Sequence, residues 1–329
     1  MGVRGLAGRA RFIDNPNGFY FYINRLGLRT KDFKPAKEAG AVRVVLMGDS
    51  HAFGVGVDDE DRVSERLQRV LQSSLRRNVE VLNAAQPGTT WTDYLAAAQT
   101  AVDWRPDLLI VLTYTGNDLG ELALPTFKQP VGGSRSRDGW LLGNLRRFHI
   151  WHLLRRGFSR QPPRRLFRIG KPPCVATLHT EEVGPFAQAV LEACVMSRMA
   201  RPEELEQRVE QLGQGVCRIA RSNRIPLIIA ALPPKILVEA AATHGDFDGA
   251  AARVGIPSGQ ARALLERAHR AFCRPVGGAI VIDLLGPLRN SHAGSLYFAH
   301  DWHINGEGHR IVAAVLAQEI LHRQLLGSQ

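Results

Sequence analysis

Between Pro106 and Tyr114 the chain reads PDLLIVLTY, with five consecutive apolar residues from Leu108 to Leu112. An edge strand or a half-wet antiparallel strand would alternate polar and apolar residues. An unbroken run of this length belongs to a strand covered on both faces, as in a parallel sheet flanked by helices. Val42–Met47 (VRVVLM) has the same character and ends in Gly-Asp-Ser. Val79–Leu82, Ile225–Leu232 and Ala279–Leu285 supply three further strands. Helical periodicity fills the gaps. Val63, Leu67, Val70 and Leu71 are expected on one face of a helix from about Arg62 to Leu75. Thr90–Trp104 and Gly306–Leu325 read as further helices, with Thr90 or Thr92 capping the former. This rhythm specifies a three-layer α/β/α architecture around a central, mainly parallel sheet.

Two segments depart from it. Residues 1–40 carry Gly, Asn and aromatic residues and read as an N-terminal extension packed on the core formed by residues 41–329. An insertion at about 122–199 contains Pro and Gly pairs and ten arginines between Arg135 and Arg168. Much of the net charge of +11 over 329 residues resides there. Such a loop is usually functional or disordered; its charge suits an anionic polymer or a membrane surface, or else a peripheral helix whose arginines are solvated. Nucleic acid is not expected, because no zinc-finger, RRM or KH signature accompanies the charge. Neither a signal-peptide h-region nor an apolar run of membrane-spanning length is visible. The chain fits a cytoplasmic protein as it stands, or an exported one whose leader has been removed. The four cysteines (Cys174, Cys194, Cys217, Cys273) form no C-x-x-C pair. That argues against zinc and thioredoxin-like chemistry and for reduced thiols, with no metal and no cofactor expected.

Chemistry concentrates at strand ends. The first core strand runs into Gly48-Asp49-Ser50-His51, which sets a serine at a strand-to-helix turn, where Ser and Asp also serve as caps. It is not a G-x-S-x-G elbow, because Ala52 stands where the second glycine would be. After the second strand come Pro87-Gly88-Thr89, where a glycine lets a backbone N–H approach a ligand. After the third come Thr115-Gly116-Asn117-Asp118, where Asn117 can offer an amide donor or cap a helix. Before the last helix lies Asp301-Trp302-His303-Ile304-Asn305. Two residues apart in an extended segment, Asp301 and His303 share a side, so the carboxylate can orient the imidazole. Asn305 can cap the helix that follows.

In order and spacing these four blocks resemble those of the SGNH (GDSL-like) hydrolase family, over roughly Val42 to Leu325. The resemblance implies an SGNH/flavodoxin-like fold and serine-dependent hydrolysis of a carboxylic ester, with O-deacylation of a carbohydrate among the substrates it admits. It implies Ser50 as nucleophile, His303 as general base and acid, and Asp301 as the group that orients it. The oxyanion donors it implies are the Ser50 and Gly88 backbone N–H groups and the Asn117 side chain. The same residues would serve an O-acyltransferase delivering an acyl group to a glycan hydroxyl, and less readily a non-catalytic binding module. His51, beside the nucleophile where many members carry an apolar residue, is read as structural. Asn24–Arg29 (NRLGLR) also looks like the extension of a bacterial branch of the family, with no role derived for it. A metallophosphoesterase fits less well, since Asp-x-His comes last rather than first and Asp58 is too far from Asp49.

Overall fold

The computed structural model describes residues 5–119, 186–197 and 202–327. Elements are numbered in chain order among these. The core is a five-stranded sheet in the order β4-β3-β5-β6-β7, every neighbouring pair parallel. Its strands are β3 (Val42–Gly48), β4 (Val79–Asn83), β5 (Leu108–Tyr114), β6 (Leu227–Leu232) and β7 (Ile280–Asp283). The pleat divides their side chains between two layers. Val44, Leu46, Ile110, Leu112, Ile228 and Ala230 join one core cluster. There they meet Val63, Leu67 and Leu71 of α2 (Val63–Leu75) and Ile311, Val312 and Leu316 of α10 (Gly306–His322). Val45, Met47, Leu109, Val111 and Ile229 face the other way. They pack on α3 (Trp91–Ala101), α5 (Pro202–Ser222) and α8 (Ser258–Phe272) through Trp91, Tyr94, Val216 and Phe272. Each fully buried Leu, Ile or Val contributes about 1.5–3 kcal/mol relative to exposure. The contiguous apolar runs therefore reflect two-sided burial, and the molecule is a three-layer α/β/α protein.

Val70 corrects the expected face of α2, being 41% exposed. Ser64 is buried in its place, which rotates the buried stripe toward residues 63, 64, 67 and 71. The N-terminal extension also holds order that its composition concealed. Strands β1 (Leu6–Phe12) and β2 (Asn15–Ile23) form an antiparallel hairpin. Phe19, Phe21 and Ile23 enter the core cluster containing α2 and α10, while Tyr20 points outward. The ten arginines from Arg135 to Arg168 lie outside the described residues. Of the expected insertion, only α4 (Ala187–Ser197) is described in full. The reading of the cysteines as reduced needs correction. Cys194 is disulfide-bonded, while Cys217 and Cys273 are free.

Counted within the sheet alone, the strand order is 2-1-3-4-5. The chain moves from β3 outward to β4, then returns past β3 to β5. Loops leaving the carboxyl ends of β3 and β5 thus diverge, opening a crevice at the topological switch point. Among the described residues no helix is long and apolar enough to cross a membrane.

Candidate active site

The β3 strand ends at Gly48, where a Cβ would lie 2.4 Å from the Leu112 carbonyl oxygen and 2.6 Å from the Ala52 side chain. Only glycine allows β3 to turn this close to β5. Asp49 caps the short helix α1 (Ser50–Phe53) by accepting the His51 N–H at 2.9 Å. Its second carboxylate oxygen is buried with no hydrogen-bond partner among the described residues. Burial raises the Asp49 carboxyl to about 6, against the pull of the His51 N–H and the His303 ring. Ser50, the first residue of α1, is half-buried at the crevice.

The partner of Ser50 comes from the other end of the chain. Ser50 Oγ lies 2.8 Å from His303 Nε2, and His303 Nδ1 lies 2.5 Å from Asp301 Oδ1. Asp301 Oδ1 also accepts the His303 backbone N–H at 2.8 Å. Burial pushes the Asp301 carboxyl up, but the His303 charge and these hydrogen bonds outweigh it and hold the group below its ordinary value. An ionised Asp301 accepts a hydrogen bond from Nδ1–H, which leaves the Nε2 lone pair facing the serine hydroxyl.

The segment bearing Asp301 and His303 is held from several directions. Tyr297 and Ile304 form an antiparallel bridge, and Phe298 donates its N–H to the His303 carbonyl at 3.0 Å. Just beyond β6, α6 (Lys235–Val238) supplies Lys235, whose Nζ donates to the Phe298 carbonyl at 2.6 Å. Glu239 accepts the Leu296 and Tyr297 N–H groups at 2.6 and 3.2 Å. From the N-terminal hairpin, Asp14 accepts the His300 N–H at 2.9 Å, and Phe12 meets the His303 ring edge-on at 6.4 Å. Asn305 caps α10 by accepting the N–H groups of Glu307 and Gly308 at 2.9 and 3.0 Å.

His51 is buried and stacks on Tyr114 with ring centroids 3.9 Å apart. Its Nδ1 accepts the Ile304 N–H at 3.4 Å. Burial first, then the neighbouring His303 and His309, push its pKa well below the ordinary histidine range. A neutral His51 therefore sits as a spacer beneath the segment carrying His303, 4.8 Å from that ring.

The turns bearing Gly88 and Asn117 follow β4 and β5, the two strands that flank β3. Gly88 adopts φ +71°, a left-handed conformation that glycine takes without strain. Its turn is docked on β3 by two hydrogen bonds to the Gly48 carbonyl, from Gln86 N–H and Thr89 Oγ1, each 3.0 Å. At Gly116 a Cβ would strike the Tyr114 ring at 2.6 Å. Asp118 anchors the same turn by accepting from Thr113 Oγ1 and from Tyr94 Oη. Asn117 is half-buried between these anchors.

Arg29 is the residue whose role sequence reasoning did not reach. Its buried guanidinium donates to the carbonyls of Phe53 and Gly54 at 3.2 and 2.5 Å, and to those of Tyr20 and Val57 at 2.9 and 2.8 Å. It also pairs with Asp59 at 2.8 Å. Burial, then the nearby Arg62, lower it to about 9. Arg29 thereby ties the N-terminal extension to the end of α1. Its partners lie 9 to 30 residues away along the chain, so the local sequence gives no spacing from which such a clamp can be read.

A hydroxyl, an imidazole and a carboxylate in one hydrogen-bonded chain, set at the switch point of a parallel sheet, place the molecule among α/β enzymes. The family model for GDSL-like lipases and acylhydrolases matches residues 46–311, so the chain belongs to that family and is an ester hydrolase. No curated protein matches it by sequence. Solved structures give distant likenesses. One is a GDSL-like lipase of Bacteroides thetaiotaomicron, with 12% identity, TM-score 0.42, and 88% of this chain and 93% of that one covered. A lipase/acylhydrolase of Enterococcus faecalis shows 16% identity and TM-score 0.41 over 86% and 96%. A catalytic mutant of an acetylxylan esterase from Geobacillus stearothermophilus shows 10% identity and TM-score 0.42 over 89% and 100%. At this distance none bears on the substrate.

Proposed function

We propose that this ester hydrolase works through an acyl-enzyme on Ser50, with His303 as base and acid and Asp301 orienting it. The observation that carries the reading is the continuous chain Ser50 Oγ–His303 Nε2, His303 Nδ1–Asp301 Oδ1. His303 accepts the hydroxyl proton as Ser50 attacks the ester carbonyl. The carbonyl oxygen becomes an oxyanion, stabilised by the backbone N–H groups of Ser50 and Gly88 and by the Asn117 amide. His303 then protonates the leaving alcohol. Water, deprotonated by the same imidazole, attacks the acyl-enzyme and releases the acid. Throughout, the ionised Asp301 stabilises the imidazolium without taking its proton.

The substrate class is a carboxylic ester, with an acylated carbohydrate as its preferred form. Support comes from the half-buried Trp302 and Phe12, whose rings stand 5.4 and 6.4 Å from His303. Aromatic faces beside a polar site suit a partner that is apolar on one side and hydroxylated on the other. A fluorophosphonate probe should label Ser50 stoichiometrically, and an ester panel graded by acyl length should show turnover of sugar esters. Labelling elsewhere, or full turnover by Ser50→Ala, would overturn the assignment. Transfer to an added sugar in preference to water would instead identify an acyltransferase.

A further inference from the structure

Among the described residues, one group of histidine, cysteine and acidic side chains converges on a common point: His269, Cys273 and Asp283, whose ligand atoms lie within 4.8 Å of one another. It belongs to no part of the site described above. His269 and Cys273 are four residues apart at the end of α8, so they share one face of the helix. The Cys273 N–H still bonds the His269 carbonyl at 3.2 Å, which keeps that face intact at the helix end. Asp283 closes β7 at the carboxyl edge of the sheet.

We propose that His269, Cys273 and Asp283 bind one divalent cation of the zinc type, with solvent completing a tetrahedral shell. Tetrahedral zinc with N, S and O ligands requires ligand atoms about 3.4–3.6 Å apart. Cys273 Sγ and His269 Nε2 already stand 3.6 Å apart. His269 Nε2 and Asp283 Oδ1 are closer, at 2.8 Å, and must open by about half an ångström to admit the ion. The Asp283 side chain is 51% exposed, with Oδ1 also accepting the Leu285 N–H at 2.8 Å, so the movement falls to it, whereas the His269 side chain is 3% exposed and fixed. The same exposure gives water access to the fourth position.

The ring is already oriented for this task. His269 Nδ1 lies 3.0 Å from Thr115 Oγ1, and that hydroxyl has the Leu232 carbonyl within 3.2 Å to receive its single proton. Nδ1 therefore donates to Thr115, and the proton shared between Nε2 and Asp283 is the one a cation displaces. Ligating histidines characteristically hold their other nitrogen in this way. On binding, that proton and the Cys273 thiol proton pass to solvent, while metal bonds form to N, S and O. The absence of paired cysteines, which spoke against zinc in the sequence, does not bear on a site with one thiolate. Through Thr115 the ion would also brace the turn that carries Asn117.

The test uses the full chain, dialysed against a strong chelator and titrated with Co²⁺ and Zn²⁺. One equivalent of Co²⁺ should bind and produce a thiolate-to-cobalt charge-transfer band. Cys273→Ser should abolish the band, Cys217→Ser should retain it, and Asp283→Asn should weaken binding at least tenfold. Zn²⁺ should displace the cobalt and raise the melting temperature of the parent but not of Cys273→Ser. Asp283 is exposed and Ser is nearly isosteric with Cys, so both variants should fold, as their circular dichroism will show. An unchanged band in Cys273→Ser, or no saturable binding at one equivalent, overturns the proposal.

Discussion

Among the described residues there are two chains of hydroxyl, imidazole and carboxylate, built in opposite senses. In the first, Ser50 is half-buried at the crevice and Asp301 is the screened end, 14% exposed. In the second, the buried Thr115 lies 3.0 Å from His269, and Asp283 is the open end, 51% exposed. The ring nitrogens are exchanged as well: Nε2 faces the hydroxyl at His303, Nδ1 at His269. An ester can reach a hydroxyl only where it meets the crevice. A carboxylate can hold an imidazolium strongly only where water does not screen it. The second chain fails both conditions although its residue types are nearly the same. Constellation alone does not distinguish the two hydroxyls; the direction of burial does.

The comparison breaks first at the hydroxyls. Ser50→Ala should lower kcat by about 10⁴–10⁶, whereas Thr115→Val should retain fluorophosphonate labelling of Ser50. Labelling that survives at Ser50 only when Thr115 is intact would make the two chains one system. At the carboxylates, Asp301→Asn should cost about 10⁴ in kcat through the wrong imidazole tautomer, and steady-state kinetics on Asp283→Asn should stay within about twofold of the parent. The Asp283 pair with His269 is half exposed, so its loss should cost at most about 1 kcal/mol in denaturant unfolding. Between these lies Asn117→Ala, expected to lower kcat by about 10²–10³ with KM nearly unchanged. A stability loss with normal kcat would reduce Asn117 to a cap.

A smaller effect sharpens the role of burial. Asp49 titrates at about 6 because burial disfavours its charge, so its folded value exceeds the ordinary carboxylate value. The sign follows from linkage: above pH 6 its ionisation costs stability, and the cost fades as pH falls toward 4. Asp49→Asn keeps the acceptor for the His51 N–H and removes the charge. Its melting temperature should exceed the parent's by a few degrees at pH 8, with the gap about halved at pH 5 and closing toward pH 4. Asp301 runs the other way, its folded value being depressed. Its contribution is present at neutral pH and is lost as pH falls through the acid range.

The parallel sheet was legible because strands such as Leu108–Tyr114 bury both faces and write that fact as an unbroken apolar run. The hairpin β1–β2 was not, for a related reason. In Phe19-Tyr20-Phe21-Tyr22-Ile23 the buried and outward faces are both aromatic, so a real two-residue alternation vanishes in a hydrophobic count. Ser50, Gly88, Asn117, Asp301 and His303 stood out because each sits in a short block beside a strand end or helix start. Asp14, Arg29, Lys235 and Glu239 work through partners tens to hundreds of residues away, with nothing local to announce them. Among the cysteines, the disulfide at Cys194 left no spacing to read, while His269 and Cys273 were hidden in an ordinary amphipathic helix.

Ser50 and His303 are separated by 253 positions along the chain, and the hydrogen bond between them is among the longest-range in the molecule. During synthesis Ser50 therefore emerges well before His303, by about 10–50 s at common elongation rates. On the proposed mechanism the nascent protein carries its serine for that interval without the means to activate it, and function should appear only when the final segment settles against the hairpin and α2. Recovered esterase turnover during refolding thus acts as a clock for the last folding event, and should lag behind the signal from the sheet.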